Sequence, residues 1–182
     1  MVADSAARIL DEYLVAAART GDRHAFGLLA RRWHGKLVAH AWRLTGDPDM
    51  AQDAAQASWL EIVGGLGRLR DEKAFPAWAY RIVTRRCARQ LDQRIRGRRL
   101  AQSLAENPPE QPAPVDAALV GSALRSAIAA LPPDQRGAIA LFYLEELSVA
   151  EVAVALHVPV GTVKTRLMHA RRKLRGVLEG EE

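Results

Sequence analysis

The side chains best placed for chemistry in this chain are cationic, and one short run, GTVKTRLMHARRKL at residues 161–174, concentrates them. Lys164, Thr165, Arg166, His169 and Arg172 offer hydrogen-bonding groups suited to base edges and phosphate oxygens, which is the chemistry of nucleic-acid recognition. At roughly 100° per residue, Thr165, Met168, His169 and Arg172 share one helical face, while Val160, Val163, Leu167, Ala170, Leu174 and Val177 form an apolar stripe opposite. A second cationic run holds Arg81, Arg85, Arg86, Arg89, Arg94, Arg96, Arg98 and Arg99, with Phe75 and Trp78 just before it. Aromatics followed by arginines suit a nucleic-acid strand, bases stacking and phosphates following the guanidiniums. Phe75 is read as core; Trp78 fits either role.

Other chemistries lack their parts. Asp49, Asp53 and Glu61 sit near one another in sequence, but nothing completes a ligand shell, and acids at a helix start serve its dipole. The five histidines show no metal-ligand spacing, and His40 falls on an apolar stripe as a buried residue. Cys87 is the sole cysteine, which excludes an internal disulfide and a multi-cysteine zinc site. No nucleophile–base pair or phosphate loop is present, so the chain is read as no enzyme, with no metal and no cofactor.

The cationic run needs an element to present it. Ser148 and Glu151 form a capping-box pair that starts a helix whose apolar face is Val149, Val152, Ala153 and Leu156. His157-Val158-Pro159 breaks that helix, and Val160 opens the next. Two short helices around a tight turn, the second basic and exposed, make a helix-turn-helix of the kind that enters a major groove.

The rest of the chain reads as helices as well. A first helix spans 5–19; Asp22 caps a second over 23–44, which carries Trp33 and Trp42 as expected core residues. Asp47-Pro48 starts a third over 49–63, and Gly64-Gly65 loosens its end. A fourth begins near Ala74 and carries the arginines. Four prolines within residues 108–114, with Glu106, Glu110 and Asp116 and no Lys or Arg, mark 100–116 as a flexible linker. A helix over 117–130 and another, restarted by Pro132-Pro133-Asp134 and carried by Ala138, Ile139, Leu141, Phe142 and Leu144, then complete a four-helix unit with the helix-turn-helix. No strand pattern is present, so the fold class is all-α: residues 1–99, a linker at 100–116, and residues 117–182.

Charge is segregated along this plan. Residues 1–80 are balanced, 81–99 carry 8 basic and 1 acidic side chains, 100–160 carry 2 and 7, and 161–182 carry 6 and 3. Two separate basic patches imply two contacts with a polyanion. No segment reads as a signal peptide or membrane span, so a cytoplasmic protein without membrane insertion is expected.

Residues 22–178 resemble the bacterial RNA polymerase sigma factors of the extracytoplasmic-function (ECF) group. LPPDQRGAIALFYLEELSVAEVAVALHVPVGTVKTRLMHARRKL is similar to the family's region 4, and GDPDMAQDAAQASWLEIV and AFPAWAYRIVTRR are similar to parts of region 2. The resemblance implies a promoter-specificity subunit. By position, Asp53, Gln56 and Trp59 match the helix that binds core RNA polymerase. Trp78 and Tyr80 match aromatic places near the melted minus-10 element, with Arg81 and Arg85 beside them. Lys164, Thr165, Arg166, His169 and Arg172 match the recognition helix at the minus-35 element. Arg85 stands where the family often has asparagine, and Gly64-Gly65 replaces bulkier residues. The resemblance further implies promoter DNA and an anti-sigma factor as partners.

A stand-alone helix-turn-helix regulator with a dimerising or sensing N-terminal unit is the alternative. It requires tight DNA binding by the chain alone at a two-fold symmetric site. A sigma factor requires weak free binding and an asymmetric two-part site.

Overall fold

In the computed structural model, which describes residues 2–102 and 122–179, Asp22, Asp47 and Ser148 each cap the helix that follows. Asp22 Oδ1 accepts from the amides of His24 and Ala25 at 2.8 and 3.0 Å. Asp47 Oδ1 accepts from those of Asp49 and Met50, both at 3.1 Å. At Ser148 the capping box is complete: its Oγ accepts from Glu151 N at 3.2 Å and its own amide donates to Glu151 Oε2 at 2.7 Å. Each such cap stabilises a helix start by about 1 kcal/mol.

The described residues form eight α-helices: α1 Val2–Arg19, α2 Arg23–Thr45, α3 Pro48–Leu66, α4 Phe75–Gln102, α5 Ser122–Ala129, α6 Pro133–Ile139, α7 Val149–Leu156 and α8 Val160–Glu179. A 3₁₀ turn, Glu72–Ala74, precedes α4, and a π turn, Ala140–Leu144, extends α6. No strand occurs among the described residues, as the all-α expectation requires. Residues 103–121, which hold most of the expected linker and the start of the expected fifth helix, lie outside the described residues; the expected linker residues 100–102 are helical, in α4.

Three sequence expectations need correction. α3 does not loosen at Gly64-Gly65 but continues to Leu66: neither glycine has a positive φ, Ile62 and Leu66 are buried in the core, and the Trp78 indole packs where a Gly65 side chain would stand. Trp42 is 44% exposed, whereas Trp33 is buried as expected. Val160 is also 44% exposed, since the first residue of α8 lies beyond the reach of the core.

Burial follows the helical period. α2 buries Ala25, Leu29, Trp33, Leu37, His40 and Ala41, a single stripe at three- and four-residue steps. Trp33 stands edge-on to Phe75, with centroids 5.1 Å apart, and packs at 5.6 Å against Tyr80. His40 Nε2 and Thr84 Oγ1 share a hydrogen bond at 2.9 Å, and desolvation by burial, aided by Arg43, lowers the His40 pKa to about 3. The core does not stop at the linker. α7 packs on α4 and α6 on α2, so that buried residues of both halves form one hydrophobic cluster.

Candidate nucleic-acid interface

The turn that sets the recognition helix is made by His157 in the left-handed conformation (φ 55°), its amide bonding back to α7 carbonyls. Val163, Leu167 and Ala170 anchor α8 in the core. The opposite face is presented outward: Lys164, Thr165 and Arg172 are exposed and His169 is half-buried. Thr165 Oγ1 donates to Gly161 O at 3.1 Å, which fixes the hydroxyl's rotamer and leaves its lone pairs free to accept. Arg166 is less available. Its Nε lies 3.2 Å from Asp134 Oδ2 of α6, and only 24% of its side chain is exposed, so it braces α8 against α6.

Arg171, absent from the expected site, is held too. Its Nε donates to the Tyr143 hydroxyl at 2.8 Å, and its guanidinium lies 5.8 and 5.6 Å from the Phe142 and Tyr143 ring centroids. The π turn thereby grips the recognition helix from the side. Sequence spacing holds no hint of this, because the partners lie 28 residues apart.

The second basic helix distributes its cations differently. Arg85 pairs with Glu61 of α3, and Arg86 Nη2 lies 3.9 Å from the same carboxylate. Arg94 donates to Asp47 Oδ2 at 2.6 Å. Backbone hydrogen bonding from Met50, then Arg94, holds the Asp47 carboxyl below its usual range. Arg81 is half-buried; Arg89 and Arg96 are exposed. Trp78 is half-buried, its ring 6.1 Å from Phe75, with part of the indole outward. Tyr80 is different: it is fully buried against Trp33 and His40. In this arrangement it is a core residue and offers no face to a base. Its aromatic type matches both uses, and only packing separates them.

On α3, Asp53 and Gln56 are exposed, and Trp59 is half-buried. Trp59 Nε1 donates to His34 Nδ1 at 3.2 Å, and its ring meets Phe26 edge-on at 5.9 Å. Leu60 and Val63, 78% and 57% exposed, continue the face of Asp53 and Gln56 at helical steps. Neither belongs to the site expected from sequence. Their signal is the step of three and four from Gln56, masked by a core stripe one residue away. Among the described residues no cluster of His, Cys, Asp or Glu is arranged to hold a metal ion, and no helix is long and apolar enough to cross a membrane.

An all-helical chain with a capped helix-turn-helix, an outward cationic recognition face and a second basic helix defines a DNA-binding transcription protein. Residues 29–97 match the family described as Sigma-70 region 2, and residues 122–174 match Sigma-70, region 4. The chain is 31% identical to the RNA polymerase sigma-H factor of Pseudomonas aeruginosa over 183 residues, covering 93% of this chain and 94% of that one. It is 34% identical to the ECF RNA polymerase sigma factor SigM of Mycobacterium tuberculosis, covering 92% and 84%. Among solved structures, CnrH in complex with the cytosolic domain of CnrY superposes with a TM-score of 0.62 at 26% identity, over 95% of this chain and 99% of that one. The sigma factor RpoE from Bartonella quintana, in complex with the anti-sigma factor NepR, shares the fold, with a TM-score of 0.67 at 23% identity over 86% and 98%. The chain belongs to the ECF RNA polymerase sigma factors. It is a promoter-specificity subunit of RNA polymerase.

Proposed function

We propose that three surfaces divide the work of initiation. The exposed α3 stripe of Asp53, Gln56, Leu60 and Val63, with Trp59 beside it, docks on core RNA polymerase through apolar contact framed by polar groups. Trp78, Arg81 and Arg85 take the minus-10 element: the indole stacks an unpaired base, and the arginines neutralise the strand's phosphates. Tyr80 supports Trp33 and His40 beneath that surface. Lys164, Thr165, His169 and Arg172 take the minus-35 duplex in the major groove, with Arg166 setting the helix that carries them.

The observation that carries this reading is the outward cationic face of α8 on a helix-turn-helix anchored in the core by Val163, Leu167 and Ala170. The chain acts without catalysing, in the cytoplasm, and the core enzyme supplies the chemistry. An anti-sigma factor is a partner of this protein; the two solved relatives are each held by such an inhibitor or by the cytosolic domain of a second protein.

The test is co-purification with core RNA polymerase, followed by run-off transcription on a fragmented genomic library. Discrete new start sites are expected, each with a two-part upstream element. Lys164→Ala with Arg172→Ala abolishes transcription from minus-35-dependent starts and spares core binding. It also lowers the salt slope by about one for each phosphate that is no longer neutralised. Loss of core binding instead would overturn the division of roles.

A further inference from the structure

The indole at the edge of the α3 stripe is held from another helix. Phe26, Ala30 and His34 follow one another at four-residue steps and form a ridge along α2, which packs on α3. Trp59 meets both ends of that ridge. Its ring stands edge-on to Phe26 at 5.9 Å, and its Nε1 donates to His34 Nδ1 at 3.2 Å. All four residues are half-buried. Trp59 also stands one helical turn from the exposed Gln56 and Val63, so the part of the ring that the ridge leaves uncovered borders the docking stripe.

The chemistry of this bond runs one way. An indole N–H donates and cannot accept, so His34 Nδ1 carries a lone pair and the imidazole proton sits on Nε2. A phenyl ring at position 59 would make no such demand. The histidine is therefore matched to tryptophan at this place. Held by Phe26 at one end of the ridge and by His34 at the other, the ring has its orientation fixed before anything docks, and docking loses less conformational freedom.

We propose that His34 is a positioning residue for core docking: its Nδ1 holds the Trp59 indole in the orientation that completes the α3 stripe, so the free chain meets core RNA polymerase with the ring in place. The proposal rests on the assignment of that stripe to core docking above. Without the acceptor, the ring turns its N–H towards water and the docking orientation becomes one of several. Apparent affinity then falls with the fraction of chains that present the competent orientation.

The test is a double-mutant cycle on the binding of the full chain to core RNA polymerase, read by displacement of fluorescently labelled wild type. His34→Phe keeps an aromatic ring and removes the acceptor; it should weaken binding about five-fold, the net worth of one hydrogen bond. His34→Asn carries its amide oxygen as many bonds from Cα as Nδ1 and should restore wild-type affinity. In a Trp59→Phe background, which has no N–H to hold, His34→Phe should have no further effect. In nuclear magnetic resonance of the isotopically labelled free chain, the Trp59 indole N–H signal is identified by its absence from Trp59→Phe. It should move in His34→Phe and return in His34→Asn. Equal affinity of wild type and His34→Phe would overturn the proposal. So would a loss that persists undiminished in the Trp59→Phe background, or one that His34→Asn shares, since either marks a role in folding alone. Leu60→Asp tests the docking assignment separately. If it binds core as wild type does, that assignment falls and the proposal with it. If it fails to bind while His34→Phe binds normally, the positioning role alone falls.

Discussion

Two adjacent glycines near the end of α3 allow a paired experiment in which one effect cancels. A Cβ on Gly65 would stand 2.7 Å from Trp78 Cζ2 and 3.3 Å from Cη2, whereas one on Gly64 would meet nothing within 4 Å. Neither glycine has a positive φ, so alanine fits the backbone at both. Gly64→Ala therefore gains helix propensity alone, up to about 1 kcal/mol. Gly65→Ala gains the same and must also displace the indole or part α3 from α4. Phe75 lies behind the ring at 6.1 Å and is fully buried, so it yields little space. Overpacking of this kind costs about 1–3 kcal/mol. Gly64→Ala should be the more stable variant by about that amount, since propensity is common to both. Urea unfolding, followed by circular dichroism and tryptophan fluorescence, measures it. Gly65→Ala should also shift the native emission to the red, because the ring moves outward. Equal stabilisation by the two alanines would refute the packing argument and leave Gly65 without a reason to be small.

His40 and Cys87 are both buried in the core, and each makes a separate prediction. The folded His40 pKa is about 3, below the usual 6.5, so unfolded chains bind the proton first as pH falls. Its contribution is complete above about pH 6.5 and is lost progressively towards pH 3, at no more than about 1.4 kcal/mol per pH unit. His40→Gln should flatten the pH dependence of urea stability across that window; unchanged slopes would sink the idea. Burial pushes the Cys87 thiol up to about 12, so iodoacetamide at pH 8 should label it only after unfolding in urea. Rapid labelling of the native chain would show that the α4 core opens far more readily than its packing implies.

Local signals in the sequence carry the helices and most of the recognition face. Asp22, Asp47-Pro48 and Ser148 with Glu151 are short-range chemistry, and each caps a helix in the expected place. Lys164, Thr165 and Arg172 lie on a face set by period alone and are exposed accordingly. What escapes a reading of the sequence depends on partners distant along the chain. Tyr80 and Trp78 are two residues apart and equally aromatic, yet one is buried by Trp33 and His40 and the other reaches the surface. Arg166 and Arg171 read as free cations until Asp134 and Tyr143 are brought beside them. The Trp78 ring packed against Gly65 of the continuing α3 is another such partner, which no local propensity could supply.

The shared core has a consequence for how the protein is made. Helices α2 and α4 leave the ribosome before the segments that cover them, α6 and α7. At 5–20 residues per second, the roughly 54 residues separating the ends of α4 and α7 take about 3–11 s to synthesise. Throughout that interval the nascent chain bears an uncovered apolar groove on its first half, the size of two short helices. It is then open to chaperones, and to any helical partner able to take the place that the chain's own second half will fill.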